Sequence, residues 1–282
     1  MLPLLLVALL QAPDEELTDL DREVLEVLCE TLEEGALVFH LAPGSIAPEV
    51  LGEDVLANVA AFGVLEELLA MELRGRIHVF LYPDADELDR LTGAGTIAFS
   101  TGLSSLHQVH DFRGTHELAH VFATQFPPHP DGFTDEFVVE GLATGLAELE
   151  SGAPLHAWCA TYGKFGRLPA LWELRRTFPE LDQEGVHPYH VAGSFVRFLI
   201  ERFGIERVKR WYVCALEAEA VFGRGFVALE REWLSMLHEL EVSREHEDVV
   251  RRRLRLPRVS PATSGAWAAR FDGATLAGWS AE

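Results

Sequence analysis

The chain has 282 residues, enough for one large or two small domains with a proper core, and its 48% hydrophobic content excludes an intrinsically disordered protein. A formal net charge of −22 repels nucleic-acid phosphates and anionic membrane surfaces, so neither class of partner is expected. Three cysteines at wide spacing, Cys29, Cys159 and Cys214, argue against a disulfide framework or a cysteine metal site and read as small buried hydrophobes.

Residues 1–12, MLPLLLVALLQA, form an apolar stretch too short to span a bilayer but of the length of a signal-peptide core. Export to the periplasm or the extracellular space is the expectation, with no stable membrane span. Helical spacing of apolar residues covers 17–32, a strand follows at 36–41, and a long helix runs over 47–73. A second strand is predicted at 77–82, just before Pro83. Asp84 with Glu87 three residues later gives a capping-box-like start to a short helix. The last strand before the next helix is predicted at 95–100, positioned to pair either with an extended peptide or within its own sheet.

A helix beginning near Asp111 carries His116-Glu117-Leu118-Ala119-His120. At about 3.6 residues per turn, residues four apart share a helix face, so the two imidazoles can converge on one ion while Glu117 points beside it. A turn-rich connection, Pro127-Pro128-His129-Pro130-Asp131-Gly132, leads to a helix starting near Thr134, whose Asp135 and Glu136 supply a cap and first-turn negative charge. That helix presents Glu140-Gly141-Leu142-Ala143 after nineteen intervening residues from His120. Two His and one Glu leave a fourth position for water, the usual design of catalytic zinc, so His116, His120 and Glu140 are the expected ligands of one Zn²⁺ and Glu117 the expected general base. Asp135 or Glu136 is the alternative third ligand.

Beyond Ser151 the chain reads as mainly helical, with apolar spacing over 168–177, 187–203, 205–218 and 226–240. Arg251-Arg252-Arg253 reads as a solvated helix face. Residues 256–270 have the composition of a linker.

These motifs resemble the gluzincins, the group that includes thermolysin-like peptidases and bacterial peptidase MA-like proteins. HELAH is similar to their metal helix, Val139-Glu140-Gly141-Leu142-Ala143 to the segment carrying their third ligand, and Tyr189-His190-Val191-Ala192-Gly193-Ser194-Phe195-Val196 to a late helix opened by Tyr. The resemblance spans 36–255 and implies an α+β fold: a zincin-like domain with a small mixed sheet and a metal-binding helix, then a mainly α-helical lobe. It also implies that Tyr189 stabilises the oxyanion, with His187 and His190 as alternatives. Phe126 occupies the place where a metzincin would need a third His. The Gly-x-Met-Glu-Asn segment by which aminopeptidases grip a free amino terminus is missing, as is the thermolysin-type Asn-Ala pair. Thr144 stands where thermolysin-like enzymes use an Asp to orient the first His.

The expected organisation is a signal peptide at 1–12, a zincin-like lobe at 13–150, a helical lobe at 151–255, a linker at 256–270 and, at 271–282, a segment whose FDGATLAGW resembles the opening of concanavalin-like domains of the 3-keto-disaccharide hydrolase type. The expected function is a zinc endopeptidase acting on peptide or protein. The alternative is a catalytically silent peptidase-like module that binds or targets beside a downstream carbohydrate-acting domain.

Overall fold

The computed structural model describes residues 17–112, 114–127, 135–151, 154–178, 185–214 and 218–256. The expected signal peptide, the 271–282 segment, nearly all of the linker and most of the turn-rich connection lie outside them. The fold is α+β, with one five-stranded mixed sheet and helices making up most of the rest. By its contacts the chain divides into two units that part after Gln125.

The first unit is built on the sheet. Helix α1 (Asp19–Leu25) starts at a capping box, in which Thr18 and Asp21 satisfy each other's backbone N–H groups. The helix predicted over 17–32 stops there, and strand β1 (Glu30–Glu34) begins five residues later. Leu25, Leu28 and Leu32 fit a helical period, but Gly35 at φ +61° turns the chain into a hairpin with β2 (Leu37–Leu41), and pairing with β2 takes the segment from the helix. Strand β1, exposed along its length, forms one edge of the sheet, and its Glu30, Glu33 and Glu34 discourage pairing with other chains.

Helix α2 (Pro48–Leu68) starts with Pro at its first position and ends before the predicted residue 73, where Ala70 turns to φ 46°. Strand β3 (Ile77–Tyr82) has the predicted bounds, and helix α3 (Ala85–Thr92) is capped by Asp84, which accepts from the Glu87 N–H. The predicted strand near 95–100 appears as β4 (Ala98–Thr101), yet it is not the last before the metal helix. Gly102 at φ +55° reverses the chain into β5 (Ser105–Val109), which sits between β3 and β4 in the order β1-β2-β3-β5-β4. Strand β4 is therefore the second edge, paired antiparallel with β5.

One cross-strand row links all five strands: Thr31, His40, Phe80, His107 and Phe99 are successive register partners. The four rings among them stack, with His40 to Phe80 at 4.9 Å, Phe80 to His107 at 4.4 Å and His107 to Phe99 at 4.7 Å. His107, wholly buried, bonds Asp21 Oδ1 through Nε2 at 2.8 Å and the Tyr82 hydroxyl through Nδ1 at 2.7 Å. Burial opposes charge on Asp21, but the hydrogen bonds from His107, Thr18 and Thr101 outweigh it and hold the carboxyl well below the usual range. The network fastens α1 to the sheet.

The second unit is helical. Helix α5 (Glu136–Ser151) packs on α8 (Pro188–Phe203) more extensively than any other helix pair does among the described residues. Around them lie α6 (Leu155–Lys164), α7 (Leu171–Thr177), α9 (Ile205–Cys214), α10 (Ala218–Phe222), α11 (Phe226–Glu239) and α12 (Arg244–Arg253). Phe137, Phe195, Trp211 and Trp233 fill the core, and the Trp233 indole donates to Ser194 Oγ at 3.1 Å. The arginine run on α12 is not a plain solvated face. Arg251 lies 4.9 Å over the Phe165 ring and Arg253 5.7 Å over Trp158, contacts that help seat α12 on α6. No described helix is long and apolar enough to cross a membrane.

Candidate metal centre

Helix α4 (Thr115–Ala123) carries the HELAH segment and starts four residues later than the predicted Asp111, because Gly114 is its N-cap. Its buried residues, Leu118, Ala119, Val121 and Phe122 among them, face the first unit's core, where Phe122 meets Phe62 at 5.2 Å. The opposite face is left to His116, Glu117 and His120, all half-buried. The helical period thus places the three polar groups together and away from the core.

The His116 and His120 rings meet edge-on at 4.8 Å between centroids, with their Nε2 atoms 3.1 Å apart. Two imidazole nitrogens at ~2.0–2.1 Å from one tetrahedral ion would stand roughly 3.3 Å apart, so the pair is close to the separation a shared metal requires. One ligand atom from each of His116, His120 and Glu140 lies within 4.8 Å of the others, and no other such group of three or more occurs among the described residues. Two neutral nitrogens and one carboxylate are the donor set that suits zinc, and this group is able to hold a metal ion.

Glu140 is held by the way α5 packs. The residue after it is Gly141, where a Cβ would come within 2.7 Å of Val196 Cγ2 and 3.0 Å of the Ala192 carbonyl oxygen. One turn on, a Cβ at Gly145 would sit 3.1 Å from the Gly193 oxygen. Glycine inside a helix costs about 1 kcal/mol relative to alanine, and here it lets the α5 and α8 backbones approach closely.

Asp135, the alternative ligand, is already engaged. Its Oδ1 accepts from the Phe137 N–H at 3.0 Å and its Oδ2 is bonded by Arg175 Nε, so it acts as a cap at the start of α5. Glu136 is exposed, and burial together with the charges of Glu140 and Asp135 raises its pKa. Tyr212, which sequence reasoning did not single out, has its hydroxyl pushed up to about 12 by burial and by the Glu140 charge. It sits on α9, 72 residues beyond Glu140, a separation that carries no periodic signal.

Tyr189 occupies the first turn of α8, with its ring 5.2 Å from Phe178 and 5.4 Å from His187. His187 is the N-cap residue of that helix. His190 stacks on His187 at 4.8 Å, and burial, His187 and Arg253 lower its pKa to about 4. It is neutral at pH 7, which makes it a weaker electrostatic partner for an oxyanion than a cationic imidazolium. Thr144 Oγ1 is buried without a hydrogen-bond partner among the described residues, so it orients none of their imidazoles in the manner of an acidic residue.

No family profile matches the sequence, and no curated protein matches it significantly. Among solved structures the chain is similar to a variant of an M1 zinc metallopeptidase from Deinococcus radiodurans, with 15% identity, a TM-score of 0.37, and coverage of 82% of this chain and 52% of that one. The chain thus spans about half the length of that protein. At that distance the chemistry of the site has to follow from its own residues.

Proposed function

We propose that the chain is a zinc-dependent peptidase of the gluzincin type, in which His116, His120 and Glu140 hold one Zn²⁺. The observation that carries this reading is the 3.1 Å separation of the two histidine Nε2 atoms within a group that also includes a carboxylate. A bound zinc ion supplies Lewis acidity and lowers the pKa of a coordinated water to about 7.

Glu117 follows His116 directly on the polar face of α4, placing its carboxylate to take a proton from the attacking water and deliver it to the leaving nitrogen. Tyr189 donates a hydrogen bond to the oxygen of the scissile carbonyl as charge develops there, and this role rests on the resemblance of the α8 segment. An endopeptidase is favoured because the sequence lacks the motif for gripping a free amino terminus. Export is part of the proposal and rests on the apolar run at 1–12.

Glu117→Gln separates catalysis from binding. The variant is expected to keep its metal and lose peptide hydrolysis by about 10²–10⁴-fold. Hydrolysis at the wild-type level would overturn the assignment of the base, whereas metal content near one with no hydrolysis even in the wild type would favour the silent binding module.

A further inference from the structure

Three side-chain oxygens near the start of α4 are buried and have no hydrogen-bond partner among the described residues: Asp54 Oδ2, Asn58 Oδ1 and Gln108 Oε1. Asp54 is 4% exposed, and Asn58 and Gln108 are completely buried. Asp54 and Asn58 are one turn apart on α2, and Gln108 projects from β5. Buried acceptors left without a partner are costly, so each of the three calls for one.

Their orientation is fixed by the other end of each side chain. Asn58 Nδ2 donates to the Asp54 carbonyl at 2.9 Å, Gln108 Nε2 donates to the Phe112 carbonyl at 3.3 Å, and Asp54 Oδ1 accepts from the Asp111 N–H at 2.9 Å. Turning either amide over would forfeit its donor contact, so the remaining atoms are acceptors. Two of them share one spot: a Cβ on Gly114 would collide with Gln108 Oε1 and lie 2.9 Å from Asn58 Oδ1.

We propose that Asp54, Asn58 and Gln108 form a binding site for a monovalent alkali cation beside Gly114. One carboxylate and two neutral amide oxygens balance a single positive charge. A divalent ion would leave net positive charge next to the N-terminal end of α4, where the helix dipole is already positive. Burial raises the Asp54 pKa, as expected of a carboxyl that must otherwise find a proton. A bound cation would tie α2 and β5 to the residue from which the HELAH helix starts.

The test is thermal unfolding of the full chain in sodium, potassium or choline chloride at equal ionic strength. The expected result is a midpoint about 3 °C or more higher in one alkali salt than in choline, since a ligand of the folded state alone stabilises it. Asp54→Asn keeps the acceptor for Asp111 and should erase the difference. Equal midpoints in all three salts for the wild type would overturn the proposal and assign the three oxygens to water. A difference undiminished in Asp54→Asn would overturn it as a general salt effect. If that variant does not fold, wild-type crystals soaked in rubidium chloride decide the matter: an anomalous peak beside the three oxygens supports the site, and none there overturns it.

Discussion

The Nε2 atoms of His116 and His120 lie 3.1 Å apart, one helical turn from each other on α4. Helical spacing brings such a pair to one face, but it does not aim both nitrogens at one point. That separation is close to what two imidazole nitrogens on one tetrahedral ion require.

The glycines of α5 and α2 should respond oppositely to alanine. At Gly141 the added methyl meets Val196 at 2.7 Å, so Gly141→Ala should destabilise the second unit by roughly 1–3 kcal/mol despite its better helix propensity. At Gly52 and Gly63 of α2 a Cβ meets nothing within 4 Å, and alanine there should stabilise by about 0.5–1 kcal/mol each. Denaturant titration of the three variants checks both signs.

Acid should weaken both units by the same mechanism. Burial, with the neighbouring His78, lowers the His40 pKa to about 4, and burial, with His187 and Arg253, does the same to His190. Below about pH 6.5 the unfolded chain takes up protons that the folded chain refuses. Stability present at pH 7 is therefore lost as pH falls from about 6.5 towards 4, on the order of 2 kcal/mol per histidine. His40→Phe should flatten this dependence for the first unit, as read from unfolding at pH 7 and pH 4.5. An unchanged slope would mean that His40 is not the group responsible.

Thr144 offers a test of how the proposed metal ligands are oriented. Its buried hydroxyl has no partner among the described residues, so Thr144→Val should be neutral or stabilising by up to about 1 kcal/mol and should leave metal affinity unchanged. A residue that oriented a ligand would instead cost about tenfold or more in affinity when replaced. Zinc titration of the variant distinguishes the two.

Much of this was legible in the sequence where a period or a cap enforces it. Strand β3, the Asp84 cap and the polar face of α4 follow directly from alternation, capping chemistry and helical spacing. The turn at Gly35 was weaker as a signal than the helical spacing of Leu25, Leu28 and Leu32, so β1 was read as helix. Strand β5 was missed because His107 and Gln108 break an alternating apolar pattern. Both are buried, His107 through its bonds to Asp21 and Tyr82, partners 86 and 25 residues away that no local pattern reveals. For the candidate site, the three expected ligands and Glu117 were read from spacing, whereas the Arg175 contact that fixes the Asp135 cap depends on tertiary packing.

The most direct measurement is the metal content of the purified chain by mass spectrometry, for the wild type and for His116→Ala and Glu140→Ala separately. About one zinc per wild-type chain, lost in each folded variant, is the predicted result. Wild-type protein that binds no zinc after reconstitution, or variants that keep it in full, would contradict the assignment of His116, His120 and Glu140 as a metal site.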